Sequence, residues 1–357
     1  MPKHPGRAAP VRWGIVATGA AAAAFTDSLV RLPGAEVAAV CSRSLDRARA
    51  FADRFAVPRA CASVSAIAED DSIDIVYIAT PNSAHHVVAE RCLLAGRAVL
   101  CEKPFTLNTD EARSLVTLAR SRGVLLMDGM WMWHNPGVRL AARLVAGGAV
   151  GTVHLLQAGL GLVGPVEPGH RLRAPDLGGG ALLDLGVYPV ALARLLLGVP
   201  DAVTARAHLT PEGVDADTAL VLEFRPTALA VLTCSIAADL PGEAIVSGTA
   251  GQLELAADFT QPDRVMLRRP GEPARTVRIP RRGDGLAHQA LEAMRCVRSG
   301  RIESVLAPWQ ATLDVMTVVD SARAQIGVRY PTDPLPTGPL SHRPADHYGI
   351  PRIEEHT

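Results

Sequence analysis

The sequence predicts an α/β protein in two parts: a parallel β-sheet covered by helices, then an α+β region built on a large, mostly antiparallel open sheet. Three observations carry this expectation. Continuous apolar runs alternate with amphipathic stretches from residue 11 to 128, the pattern of buried parallel strands joined by crossover helices. Beyond residue 128 the rhythm changes to extended runs divided by turn residues, an antiparallel pattern. A length of 357 residues suits about two domains.

The first strand is the β-branched run 11–16, followed by a small-residue turn and a helix reaching Arg31. Run 36–41 precedes a helix over 45–55, and run 73–79 (IDIVYIA) precedes one from Asn82 or Ser83 to Gly96. Run 98–102 leads to a helix opened by Asn108, with Glu111 three residues on as in a capping box. Gly123 closes that helix before a fifth run at 124–128. Helices then follow at 138–146 and 180–197, each ended by glycine. Extended runs at 202–209, 216–224, 229–236, 243–247, 264–267 and 276–279 make the second sheet, and helices at 286–299 and 309–327 complete it. The expected units are an extension over 1–10, a dinucleotide-binding Rossmann-type domain over 11–128, a substrate-binding and oligomerisation domain over 129–330, and a Pro-rich tail over 331–357. That tail holds six prolines and reads as disordered or wrapped over a neighbour.

Composition excludes several classes. Lys and Arg (36) balance Asp and Glu (36), so no basic excess exists to neutralise nucleic-acid phosphates or bind an anionic membrane. No apolar run reaches the ~18 uninterrupted residues of a membrane span; the richest, 181–199, contains Asp184 and Arg194. Residues 1–10 lack the apolar core of a signal peptide. The six cysteines are scattered with no CxxC pair, which fits a reducing cytoplasm and neither a zinc site nor a disulfide framework.

The first βα turn reads Gly14-Ile-Val-Ala17-Thr18-Gly19-Ala20-Ala21-Ala22. A GxGxxG/A dinucleotide fingerprint wants glycine at 17 and 19 and a small residue at 22. Gly19 lets the backbone approach a pyrophosphate and Ala22 permits close packing, but Ala17 makes the motif degenerate. Its place between the first strand and the first helix strengthens it. At the tip of the second strand, where an NAD enzyme carries a carboxylate, stand Ser42 and Arg43, with Arg47 one turn on. A guanidinium there suits the 2′-phosphate of NADP, so NADP is expected over NAD, unless the two arginines merely face solvent at a helix start.

Lys103 follows Glu102 at the carboxyl end of a parallel strand, where ligands gather. The chain has only two lysines, Lys3 and Lys103, against 34 arginines, and lysine can release a proton where arginine cannot. Asp184 and Tyr188 are four apart, on one face of a helix that follows Gly178-Gly179-Gly180. An ammonium beside Tyr188 favours the phenolate, so a Lys103–Tyr188 pair can take or give a hydroxyl proton; the alternative is a core tyrosine bonded to Asp184.

Together these segments resemble the Gfo/Idh/MocA oxidoreductase family, in the branch of dimeric dihydrodiol dehydrogenase and NADP-dependent D-xylose 1-dehydrogenase. The matching stretches are RWGIVATG (12–19), SRSLDRARAFADRF (42–55), VYIATPNSAH (76–85), AVLCEKPFTLN (98–108), GGGALLDLGVYPV (178–190), SGTAGQLEL (247–255) and GVRYP (327–331). The resemblance implies Lys103 and Tyr188 as catalytic pair with Asp184 supporting the substrate hydroxyl. It places Thr80, Pro81, Asn82 and His85 around the nicotinamide ribose, with Glu102 beside them. It also implies a homodimer through the C-terminal sheet, or a tetramer built from it. Relatives usually show Glu where this chain has Asp128, and Arg where it has Trp133. Trp131 and Trp133 therefore form either an apolar or sugar-stacking wall or part of the core. His170, Arg171 and Arg173 precede the triple glycine and form a solvated loop, or meet an anionic or hydroxylated substrate, with Arg173 the substrate-binding candidate. The expected activity is NADP-dependent hydride transfer to or from a secondary or hemiacetal hydroxyl of a sugar, polyol or cyclic diol. The alternatives are a ketoreductase of nucleotide-linked deoxysugars and a non-catalytic NADP-binding regulator.

Overall fold

The computed structural model describes residues 9–333 apart from 165, 166, 168, 257 and 281–284. The expected extension, up to residue 8, and the tail from residue 334 lie outside the described residues.

Six parallel strands form the first sheet: β1 (Val11–Val16), β2 (Ala35–Cys41), β3 (Ala60–Cys61), β4 (Ile75–Ile78), β5 (Ala98–Glu102) and β6 (Leu126–Gly129). Their order is β3-β2-β1-β4-β5-β6, which places a topological switch between β1 and β4. Helices α1 (Ala20–Leu29), α2 (Leu45–Phe55), α3 (Val64–Ala68), α4 (His85–Leu94) and α5 (Thr109–Arg122) connect them. Apart from the short β3, the strands are mostly buried on both faces, which is why they read as unbroken apolar runs. The capping signal before α5 is real: Asn108 Oδ1 accepts from Glu111 N at 2.9 Å, and Glu111 reaches back to Leu107 N. The short β3 and α3 escape periodicity analysis because two and five residues define no period.

After α6 (Pro136–Ala146) the second sheet opens with β7 (Val153–Gly161), which sequence reasoning missed. Its residues do not alternate cleanly, and it ends in glycine-rich chain. The remaining strands are β8 (Ala202–Leu209), β9 (Asp215–Phe224), β10 (Ala228–Ser235), β11 (Ala244–Gly248), β12 (Gly251–Leu255), β13 (Arg264–Arg268) and β14 (Arg275–Arg278). The order is β14-β13-β12-β11-β7-β10-β9-β8, antiparallel except where β10 pairs parallel with β7. The helix expected over 180–197 is α7 (Val187–Leu197) preceded by a π-type turn at Leu182–Gly186. The stretch Pro175–Leu197 is long and apolar enough to span a membrane by composition, yet 78% of its apolar window is buried inside the protein.

The last helices, α8 (Leu286–Arg298) and α9 (Trp309–Ile326), cross the expected boundary at residue 129. Leu126 N donates to Ile302 O, Trp309 Nε1 donates to Leu126 O, and Thr312 donates to Asp128. The chain therefore leaves the first sheet, builds the second, and returns to cover the first. Trp133, expected as one wall of the substrate site, is buried and donates its indole N–H to Ala191 O at 3.1 Å. It belongs to the core that joins α7 to the rest.

Beside it lies His134, buried, with no described partner at either ring nitrogen. Burial holds its pKa down to about 4. The unfolded chain, with a histidine near 6.5, then binds the proton more readily than the folded one. Stability from this group is complete above pH ~6.5 and lost as pH falls toward 4, by about 3 kcal/mol. His134→Leu should therefore unfold at a lower pH than the parent in acid titrations followed by circular dichroism.

Candidate active site

The carboxyl end of the first sheet faces the turn that precedes α7, and Lys103, Asp184, Tyr188 and Trp131 meet in this cleft. At its floor, Ala17 follows β1 with φ 117 and donates its N–H to Cys41 O at 2.9 Å. This is glycine's conformational territory, held here by an alanine, so the degenerate fingerprint position keeps the tight turn under strain. Gly19 starts α1 without a side-chain cap, and a Cβ there would meet nothing within 4 Å. Thr18 is half-buried while Gly19, Ala20 and Ala21 are exposed, and no acidic residue occupies the first turn. An uncapped helix start of this kind favours an anion.

At the tip of β2, Arg43 and Arg47 are exposed, and neither has an ion pair among the described residues. Ser42 is half-buried and its hydroxyl accepts from Ser44 N at 3.4 Å. Thr80 Oγ1 is buried without a described partner, beside a half-buried Pro81. The uncapped turn and the exposed arginines fit dinucleotide phosphates, and the orphaned hydroxyl fits a ribose. Three other residues expected here make contacts within the fold. His85 is buried with its ring nitrogens against Pro104 O at 2.8 Å and Thr80 O at 3.0 Å, which locks the β4 exit to the loop after Lys103. Asn82 is buried and its amide donates to Gly178 O at 2.8 Å. Glu102 turns inward, where Tyr77 donates to it at 2.6 Å and burial raises its pKa.

The reactive groups stand above this floor. Lys103 Nζ donates to the backbone carbonyl of Asp184 at 2.7 Å and lies 3.9 Å from its Oδ1. The same ammonium sits 4.8 Å from the centre of the Tyr188 ring. Burial alone would lower the lysine's pKa, but Asp184, Tyr188 and Glu102 raise it, so it stays charged. Burial also opposes ionisation of Asp184, and there Lys103 and Arg171 prevail and hold the carboxyl low. For Tyr188 the balance runs the other way. Burial pushes the phenol up to about 12 against Lys103 and Trp131, which pull it down. The adjacent ammonium does favour the phenolate, as the sequence suggested, but burial outweighs it.

Trp131 borders the cleft, half-buried, and donates its indole N–H to the Tyr188 oxygen at 2.8 Å. Arg173 does not reach the cluster; it is paired with Glu212 at 2.9 Å and half-buried. Arg171 does, at 2.7 Å from Asp184 Oδ1. The two arginines lie in a 3₁₀ turn, Arg171–Arg173, whose period of about three residues points positions two apart in different directions. No group of three or more His, Cys, Asp or Glu among the described residues could hold a metal.

Residues 11–130 match the family model described as "Oxidoreductase family, NAD-binding Rossmann fold", and residues 138–254 match the GFO/IDH/MocA C-terminal domain. The chain belongs to the Gfo/Idh/MocA oxidoreductase family. It is 33% identical over 333 residues to mouse (Mus musculus) trans-1,2-dihydrobenzene-1,2-diol dehydrogenase, covering 90% of this chain and 99% of that one. The human enzyme of the same name is 32% identical at 90% and 99% coverage. Among solved structures it is similar to a 3-ketoreductase from Actinomadura kijaniata in complex with NADP and TDP-benzene. That match has a TM-score of 0.81 at 29% identity, covering 89% of this chain and 98% of that one.

As a member of this family the chain carries a strained alanine where the dinucleotide turn favours glycine. Ala17→Gly should stabilise the protein by about 1 kcal/mol, because relief of strain exceeds the entropy glycine adds to the unfolded chain. Thermal unfolding of the two proteins side by side checks it; a lower midpoint in the glycine variant would mean that Ala17 is unstrained.

Proposed function

We propose that this oxidoreductase uses NADP to interconvert a CH–OH group and a carbonyl on a sugar, polyol or cyclic diol, with Tyr188 and Lys103 handling the proton. The single observation that carries the reading is the half-buried Lys103 ammonium lying against both the Tyr188 ring and Asp184. When bound, the cofactor supplies the redox chemistry. The uncapped start of α1 would hold it, with Arg43 and Arg47 suited to a 2′-phosphate and Thr80 to the ribose. Tyr188, protonated with its pKa at about 12, is suited to give its proton to a carbonyl oxygen that is being reduced. In the opposite direction Lys103 favours the phenolate that accepts the hydroxyl proton. Asp184 keeps Lys103 charged and in place, and its carboxylate can accept a bond from a second hydroxyl of the substrate.

The relatives' names support a diol or sugar substrate, and the Actinomadura protein's complex with a nucleotide-linked ligand favours a nucleotide-linked ketosugar as second candidate. Val221, Leu229 and Val231 are exposed on the outer face of the second sheet, which supports a homodimer formed across it.

The test is NADPH formation or consumption across a panel of aldoses, cyclic diols and nucleotide-linked ketosugars. Turnover should prefer NADP to NAD, and Arg43→Ala should erode that preference by about 10- to 100-fold. Tyr188→Phe and Lys103→Met should each lower kcat by about 10²–10⁴-fold while NADPH still binds. Full turnover in both variants would contradict the assignment. Tight NADPH binding without turnover on any substrate would point to a regulator on the same fold.

A further inference from the structure

Trp131 is fixed by more than its place in the wall. It begins the short 3₁₀ segment Trp131–His134 directly after β6, and its ring meets Tyr188 edge-on at 6.1 Å between centroids. Behind it lies the backbone of Gly285 at the start of α8, so close that a Cβ there would come within 2.9 Å of Trp131 Cζ3. The indole N–H is thereby aimed at the Tyr188 oxygen, 2.8 Å away. Indole nitrogen only donates, so the tyrosine oxygen must accept. No described residue accepts the hydroxyl proton of Tyr188. One side of that oxygen is thus occupied by a fixed donor, and the proton is left for the substrate.

We propose that Trp131 is a positioning residue for proton transfer: its indole N–H orients the Tyr188 hydroxyl toward the substrate and stabilises the phenolate that forms when a hydroxyl is oxidised. This deepens the proposed reaction and rests on Tyr188 being its proton carrier. The charged and titratable groups facing Tyr188 are Lys103 and Glu102 from β5 and the loop after it, Asp184 from the turn before α7, and Tyr77 from β4. Lys103 and Trp131 favour the phenolate, while Glu102 and Asp184 oppose it. Without Trp131, Lys103 alone would counter both burial and two carboxyl groups.

The test compares Trp131→Phe, Trp131→His and Tyr188→Phe in the full-length protein. Phenylalanine keeps a ring and removes the donor; histidine returns a ring N–H at about the same reach. For Trp131→Phe the pH of half-maximal oxidation should rise by about one unit and kcat at neutral pH fall about tenfold, with KM little changed. Trp131→His should restore most of the shift. A second readout needs no turnover. The chain has four tryptophans, so the Trp131 indole resonance is identified by its loss in Trp131→Phe, and it should move in Tyr188→Phe. An unchanged pH profile in Trp131→Phe with only KM raised would overturn the inference and make Trp131 a substrate wall alone. Full activity in Tyr188→Phe would instead remove the proposed reaction, and the unmoved indole resonance would remove the contact.

Discussion

A single half-buried ammonium sets the terms for this cleft. A lysine removed from water is tolerated only if its charge is answered at close range. Lys103 is answered by the carbonyl and carboxylate of Asp184, across the junction of the two sheets. That carbonyl lies in the π-wound turn Leu182–Gly186, where i→i+5 pairing leads to Pro189, which has no N–H to offer. The charge is therefore tied to an irregular piece of backbone, and that backbone must itself be held.

Several contacts hold it. Asn82 from the cofactor side donates to Gly178 O, and Tyr330 from the end of the fold donates to Gly179 O at 2.6 Å. Asp215 on β9 accepts from Leu182 N and Thr218, and a Cβ on Gly180, whose φ is 114, would run into its Oδ1. Arg323 on α9 closes the ring, bonding Leu107 O and both oxygens of Asp333 while lying over the Tyr330 ring. The triple glycine is thus the place where the dinucleotide side, the second sheet and the returning C-terminal helices meet. Placement of Asp184 and Tyr188 depends on all three.

Much of this was legible in the sequence for physical reasons. Buried parallel strands read as apolar runs, and a lone internal lysine in an arginine-rich chain stood out. Spacing does not separate a catalytic from a core tyrosine, since both place Tyr188 and Asp184 on one face. What was hidden depends on distant chain. Trp131 was visible as an aromatic, but not its hydrogen bond to Tyr188, which lies 57 residues away. Arg171 and Arg173 looked equivalent until the 3₁₀ turn sent one to Asp184 and the other to Glu212. His85 looked like a ligand because it follows a cofactor-loop motif, whereas its nitrogens are taken up by two backbone carbonyls. β7 was missed because Val153 and Leu155 on one face and Leu156, Ala158 and Leu160 on the other are all apolar, and two glycines interrupt its end.

The central claim is that Asp184 keeps Lys103 charged despite burial, and the composition makes it directly measurable. With only two lysines in the chain, carbon-13 labelling at lysine Cε gives two resonances, and Lys103→Arg removes the one of interest. Titrated by NMR, Lys103 should keep its proton beyond the ordinary lysine value of 10.5, and Asp184→Asn should bring its titration down. A Lys103 that loses its proton well below that value in the unaltered protein would show burial prevailing over Asp184, and would contradict the account.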